Sequence, residues 1–374
     1  MPKSSQNFGK LSTLKQPDDT GPTDSAAKAS NKAPAKATSL DIAHLAGVSQ
    51  PTVSRALRNS PLVSEATRKK VQEIARQLNY KVDVNARNLR SRHNNTIALL
   101  LCDDLDTSGT LINPFFLTMM GSITQAAARE GYDLLVSFQQ LSDNWLADYK
   151  DANKADGIIF LGYGDYTDYV NRIQALAEMN AHFITWGPVL AGQPGLFLGC
   201  DNAGSGRMAG RHLLNLGRER IAFFGDISAH CPEFHQRYRG FCLAHDEQNI
   251  EQDKTLVFRA DSNEDDGGHA ATALLASKKP FDAVFCASDL IAIGAIRVFH
   301  SAGLTVPGDV AVVGFDDISS AAYTTPALTT IKQKTGEAGE ELVQSLIKLI
   351  AGQTISSRLL PTELIVRESC GAKR

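Results

Sequence analysis

The sequence predicts an α/β protein in which a three-helix head, built on a helix-turn-helix, precedes two doubly wound parallel-sheet subdomains. Three observations carry this. Residues 43–55 read A-H-L-A-G-V-S-Q-P-T-V-S-R: a helix, a glycine turn, and a second helix whose first turn is mostly small polar side chains. That is the sequence form of a helix-turn-helix. From residue 96 to residue 315, apolar runs alternate with helical patterns, as in parallel sheets covered on both faces. Charge is also segregated along the chain. Residues 36–93 hold 11 Lys/Arg against 4 Asp/Glu, residues 1–35 hold 5 against 3, and the rest holds 22 against 34. A basic head on an acidic body assigns the phosphate contacts to the head.

In chain order, residues 1–36 are rich in Ser, Thr, Lys, Ala, Asp and Pro, almost without large apolar residues, and read as a disordered tail. The head is expected over 37–84. Thr38 caps a helix reaching about Ala46, with Ile42 and Leu45 inward. Gly47 makes the turn, Ser49 caps the second helix, and Pro51 lies in a first turn where its missing N–H costs nothing. Val53 and Leu57 face the core. Ser64 caps a third helix whose Val71, Ile74, Ala75 and Leu78 recur at helical spacing. Residues 85–93 form a short basic hinge with Arg87, Arg90 and Arg92 around Leu89.

The body, 94–374, is expected to bind an effector and to dimerise. Strands are predicted at 96–102, 133–138, 157–161, 183–186, 196–200, 221–225, 282–286 and 310–315. Helices are predicted at 116–130, 166–179, 204–216, 238–246, 268–277 and 290–302. Ligands of such folds bind at the carboxyl ends of strands, between lobes. Phe115 and Phe116 follow the first strand, Tyr163 follows the third, and Trp186 ends the fourth. Glu233, His235 and Arg237 fall in the loop after 221–225. Ser288 and Asp289 follow 282–286, Asp316 follows 310–315, and Gln333 lies in a crossover strand. Aromatic faces with scattered hydroxyl-binding groups are sugar-like chemistry. Glu233 argues against a phosphorylated ligand, because two anions would meet in a poorly solvated pocket.

Other classes are disfavoured. The six cysteines, Cys102, Cys200, Cys231, Cys242, Cys286 and Cys370, stand far apart with no C-x-x-C pair, and read as reduced core thiols of a cytoplasmic protein. The first 36 residues carry no signal-peptide h-region, and no apolar run is long enough to span a membrane. Gly204-Ser205-Gly206 with Gly210 is one residue too long for a dinucleotide loop and reads as close helix packing. No nucleophile–base pair or metal-ligand cluster stands out, so neither enzymatic activity nor a metal or cofactor is expected.

The chain resembles the LacI/GalR family of bacterial transcription regulators. The resemblance is carried by Asp41-Ile42-Ala43-His44-Leu45-Ala46-Gly47-Val48-Ser49, Thr52-Val53-Ser54-Arg55-Ala56-Leu57 and Val63-Ser64-Glu65-Ala66-Thr67-Arg68 in the head. Ala86-Arg87-Asn88-Leu89-Arg90 and Asn113-Pro114-Phe115-Phe116 follow. Asp201-Asn202, Ala287-Ser288-Asp289, Val313-Gly314-Phe315-Asp316-Asp317 and Leu328-Thr329-Thr330-Ile331-Lys332-Gln333 keep the family's order over about residues 37–370. Departures are Val82-Asp83 where the family usually has proline, Gly187 where it has Asp, His235 where it has Arg, and Ser288 where Asn is common. The 103–112 loop is also longer than usual.

The resemblance implies a dimer that reads a pseudo-palindromic operator in double-stranded DNA. Ser49, Gln50, Thr52, Ser54 and Arg55 would meet the major groove, Asn79 and Tyr80 the backbone, and Leu89 with Arg90 the minor groove. It implies a periplasmic-binding-protein-like body whose Asp316 and Gln333 match ligand-binding positions. The leading reading is a repressor of sugar-utilisation genes released by a small neutral sugar. Alternatives are a corepressor-dependent regulator, a solute-binding or sugar-acting protein sharing the body, and an architectural DNA protein. The end of the chain shows no leucine-heptad tail, so a dimer is expected rather than a tetramer.

Overall fold

Thr38 opens the head with a reciprocal cap: its side chain accepts from the Asp41 backbone N–H, and the Asp41 carboxylate accepts from the Thr38 N–H at 2.7 Å. The computed structural model describes residues 37–80, 94–101, 112–142 and 144–373. The tail, the hinge with Leu89 and Arg90, Cys102 and all of the long loop but Ile112 lie outside the described residues. The chain divides into two units, Met1–Asp83 and Val84–Arg374.

In the first unit, α1 (Ser39–Ala46) ends at Gly47, whose φ of 69° is the left-handed conformation that glycine adopts without a Cβ clash. Helix α2 (Gln50–Leu57) has Pro51 in its first turn, and α3 (Glu65–Gln77) is capped by the Ser64 side chain. Ile42, Ala43, Ala46, Val53, Ala56, Val63, Val71 and Ala75 form the core, with Leu57, Ile74 and Leu78 packed against it. Leu45 departs from expectation: it is 55% exposed. The buried stripe is centred on Ile42, Ala43 and Ala46, which leaves Leu45 roughly 105° round the helix.

The second unit has two lobes. In the N-lobe, six strands run in the order β11-β5-β4-β3-β1-β2, with every pair parallel. These are β1 (Thr96–Leu101), β2 (Asp133–Phe138), β3 (Gly157–Leu161), β4 (Phe183–Trp186), β5 (Leu196–Cys200) and β11 (Arg358–Leu360). The C-lobe order is β12-β10-β9-β8-β6-β7: β6 (Ile221–Phe224), β7 (Val257–Phe258), β8 (Ala283–Cys286), β9 (Ala311–Asp316), β10 (Thr329–Gln333) and β12 (Thr362–Ile365). Only β12 is antiparallel, on the edge beside β10.

Helices α4 (Pro114–Arg129) and α5 (Tyr166–Glu178) belong to the N-lobe. Helices α6 (Asn202–Asn215), α7 (Pro232–Glu247), α8 (Glu264–Ala276) and α9 (Asp289–Ser301) belong to the C-lobe, and α10 (Thr335–Ile350) returns to pack on α4. The chain therefore passes between lobes three times, after β5, β10 and β11. The register aligns Leu101, Leu161 and Trp186 at the carboxyl ends of β1, β3 and β4. Those ends, with the ends of β6, β8 and β9, form the cleft.

Two further differences from the sequence reading appear in the body. Residues 335–350, unassigned from sequence, form α10. The segment expected as a loop around Glu233 is the first two turns of α7, which starts at Pro232. Proline at a helix's first position needs no hydrogen-bond partner for its nitrogen, and this is what starts the helix six residues early.

Candidate functional site

On the head, α2 turns Val53 and Ala56 inward and leaves Ser54, Arg55 and Arg58 on the outer face. Ser49 and Thr52 share a hydroxyl–hydroxyl hydrogen bond of 2.9 Å. Gln50 Nε2 donates to Ser39 Oγ at 2.8 Å, tying the starts of α1 and α2. Arg58 donates to the Ser54 carbonyl and hydroxyl. Arg55 is exposed and forms no ion pair among the described residues. Asn79 takes a left-handed φ of 51° just after α3. The Tyr80 N–H then returns to the Ala75 carbonyl, so the ring packs against the three-helix core. Sequence reasoning did not single out Ser39, Arg58 or Leu40, which is exposed at the start of α1. The signal for Arg58 is its four-residue spacing from Ser54.

In the cleft, the N-lobe supplies an aromatic wall. Phe115 and Trp186 are buried with ring centroids 6.3 Å apart, and Phe116 meets Phe115 edge-on at 5.3 Å. Asn113 caps α4 by accepting from the Phe115 N–H at 2.9 Å, which fixes where both phenylalanines leave the helix. Tyr163 stacks on Tyr169 at 5.6 Å, and its buried hydroxyl has no hydrogen-bond partner among the described residues. Gly187 lies beside the Tyr163 ring: a Cβ placed there would touch it at 3.4 Å.

The C-lobe supplies the polar wall. Arg237, 5% exposed, donates Nε–H to Asn202 Oδ1 at 2.9 Å and Nη1–H to the Ala287 carbonyl, and its guanidinium lies 3.5 Å from the Phe315 ring centre. Those contacts hold it as a fixed cation. Gln333 Nε2 donates to Asp316 Oδ1 at 2.7 Å. Asp316 and Asp317 both take positive φ, 118° and 58°. Such backbone is uncommon outside glycine and persists only where surrounding contacts enforce it. Here Asp317 is held by Arg367 at 2.6 Å and Lys332 at 3.8 Å.

Behind Asp316 stands Asp289, which is fully buried. One of its oxygens accepts from Thr330 Oγ1 at 2.5 Å and the other from the Ile318 N–H at 2.9 Å. Ser288 is the N-cap of α9, accepting from Ile291, so these two residues brace the Asp316 turn.

Burial dominates the electrostatics. It pushes Glu233 up to about 7, with Arg237 one helical turn away pulling the other way. It pushes Asp316 up to about 6, opposed by Arg237 and Gln333, and holds Asp289 well above the usual carboxylate range. Glu233 and Arg237 share a face of α7 because they stand four residues apart. His235, two residues along, is exposed and lines a separate groove of about 590 Å³ with Tyr166, Val170 and Pro232. The structure thus brings Glu233, Arg237, Asp316 and Gln333 into one polar wall and leaves His235 outside it. Asn202 and Asp317 are the supporting residues that sequence reasoning did not assign.

Two family models match. Residues 38–83 match "Bacterial regulatory proteins, lacI family", and residues 211–370 match "Periplasmic binding protein-like domain". The probable HTH-type transcriptional repressor ExuR of Bacillus subtilis (strain 168) is 33% identical over 332 residues, covering 88% of this chain and 97% of that protein. The chain belongs to the lacI family of bacterial regulatory proteins. The family likeness holds in three dimensions. The lac repressor dimer bound to operator and the anti-inducer ONPF superposes with a TM-score of 0.79 at 25% identity, over 90% of this chain and 99% of that one. A transcriptional regulator CelR–cellobiose complex superposes with a TM-score of 0.67 at 30% identity, over 89% and 99%. This lacI-family chain is therefore a DNA-binding transcriptional regulator with a ligand-binding domain, and not an enzyme. No helix among the described residues is long and apolar enough to cross a membrane.

Proposed function

We propose that this protein represses sugar-utilisation genes in the cytoplasm, binding a pseudo-palindromic operator as a homodimer and leaving it when a small neutral sugar enters the cleft. The observation that carries this reading is the pairing of two walls. Phe115, Phe116 and Trp186 offer ring faces to the C–H face of a pyranose, while Arg237, Asp316 and Gln333 offer donors and acceptors to its hydroxyls. A related protein has been seen in complex with cellobiose, which supports this ligand class. Glu233, raised by burial and without an ion pair among the described residues, disfavours a phosphorylated ligand.

On the head, Gln50 and Arg55 have the reach for base edges, and Ser49, Thr52 and Ser54 for phosphates or nearby bases. Asn79 and Tyr80 approach the backbone, and Leu89 with Arg90 the minor groove. Exposed Leu117 on α4, with Leu135 and Val136 on the edge strand β2, supports a second copy packing on this side of the N-lobe. The ligand acts through its different affinities for two arrangements of the lobes.

The test is fluorescence anisotropy on DNA from upstream of the protein's own gene, at fixed salt, titrated with neutral mono- and disaccharides. Release by one sugar is expected. DNA binding that appears only with ligand would make it a corepressor, and binding that no sugar alters would remove the neutral-sugar reading.

A further inference from the structure

The three crossovers between lobes all leave from one side of the molecule: from β5 and β11 at one edge of the N-lobe sheet, and from β10, which with β12 forms one edge of the C-lobe sheet. That side is the pivot between the lobes. The far side of the cleft, away from it, is where polar contacts between lobes have the longest lever arm. Asp165, after β3, accepts from His230, after β6, with Oδ2 2.5 Å from Nδ1. The backbone N–H of Tyr166 donates to the His230 carbonyl at 3.2 Å. Nearby, Asn113 Nδ2, after β1, donates to Ser262 Oγ, after β7, at 3.3 Å.

The geometry of Asp165 is fixed by its own helix. As the N-cap of α5, its Oδ1 accepts from the Thr167 N–H at 2.8 Å, the Thr167 hydroxyl at 2.5 Å and the Asp168 N–H at 3.4 Å. Oδ2 is left for the other lobe. The Thr167 hydroxyl above all, with help from His230, holds this carboxyl below the usual range, so it is ionised near neutrality. The first N–H groups of a helix have no partner within it. Here Asp165 serves two of them on α5, and a carbonyl from the opposite lobe serves a third. Opening the cleft breaks the Asp165–His230 hydrogen bond and hands the Tyr166 N–H to water.

We propose that Asp165 and His230 are positioning residues that clasp the lobes at the mouth of the cleft, setting the balance between closed and open arrangements and, through it, how tightly a cleft ligand is held, without touching that ligand. The link to ligand affinity rests on the cleft reading above; the link to closure does not. The pair is partly solvated, so its effect is modest, about two- to fivefold in the closed-to-open ratio.

The experiment uses the full chain with spin labels on non-cysteine side chains at exposed Met179 in the N-lobe and exposed Leu243 in the C-lobe, read by double electron–electron resonance without ligand. His230→Ala, and Asp165→Ser, which keeps a helix cap but is too short to reach His230, should shift weight to longer distances. His230→Gln, whose amide still donates to Asp165, should keep the wild-type distribution. Unchanged distances in the first two variants would overturn the proposal. Cellobiose titration should then show about two- to fivefold weaker binding in those two variants and near-normal binding in His230→Gln. A distance shift with unchanged cellobiose affinity would also overturn it. If cellobiose fails to bind even the wild type, the cleft reading fails for that sugar, and the distances alone decide the clasp.

Discussion

Burial acts on Glu233, Asp316 and Asp289 in the same direction, and this gives the cleft a pH signature. Glu233 sits at about 7 in the folded body. Between the ordinary glutamate range and about 7, the folded protein holds a proton that the unfolded chain has released. Its contribution to stability therefore falls as pH rises through that window. Glu233→Gln should melt with the wild type at about pH 5 and above it at about pH 8; a gap that stays constant with pH would show that Glu233 is not desolvated. On the head, Arg55 stands exposed on the outer face of α2 without an ion pair among the described residues. Arg55→Ala should weaken operator binding by about 1–3 kcal/mol and relax base preference at one position per half-site, measured by anisotropy across operator variants. A uniform loss across all sequences would make Arg55 a phosphate contact instead.

Two helices hold Arg237 in place, and glycine makes their contact possible. A Cβ on Gly206 of α6 would collide with the backbone carbonyl of Arg237, and a Cβ on Gly240 of α7 would collide with the carbonyl of Ala203. Gly206→Ala should cost about 1–3 kcal/mol of stability and weaken ligand binding, because it pushes the residue that carries the guanidinium. Denaturant unfolding checks the first effect and titration with a releasing sugar the second, and unchanged stability would refute the close approach. The small-residue spacing was readable as helix packing because glycines four apart lie on one helix face. The start of α7 was not, since Cys231 to His235 mixes polar and apolar residues and only Pro232 marks the first turn. Helix α10 carries a helical stripe at Ala338, Leu342, Val343 and Leu346, but Gly336 and Gly339 interrupt the pattern. Strands β11 and β12 are short, mostly part-exposed edges with no apolar run to announce them. Strands β1, β3, β8 and β9, buried along almost their whole length, were visible as continuous apolar runs.

At the scale of the whole chain, the sequence pairs a basic head with an acidic body. DNA attraction belongs to one unit and ligand recognition to the other, so affinity for DNA should fall steeply with salt while ligand affinity changes little. The aromatic and carboxylate residues of the cleft could be nominated from strand ends alone. Their grouping could not: it depends on the helical phase that turns Glu233 and Arg237 one way and His235 the other, and on the Asp317 ion pairs that force the Asp316 turn. Regulation requires that the two units communicate through the ligand. The most direct measurement is operator anisotropy for the wild type and for Trp186→Ala, at one salt concentration, with and without a saturating neutral sugar. The expected result is tight binding by both proteins alone, release of the wild type by the sugar, and no release of Trp186→Ala at the same concentration. Release of both proteins alike, or of neither by any sugar, would contradict a sugar-gated repressor that reads its ligand in this cleft.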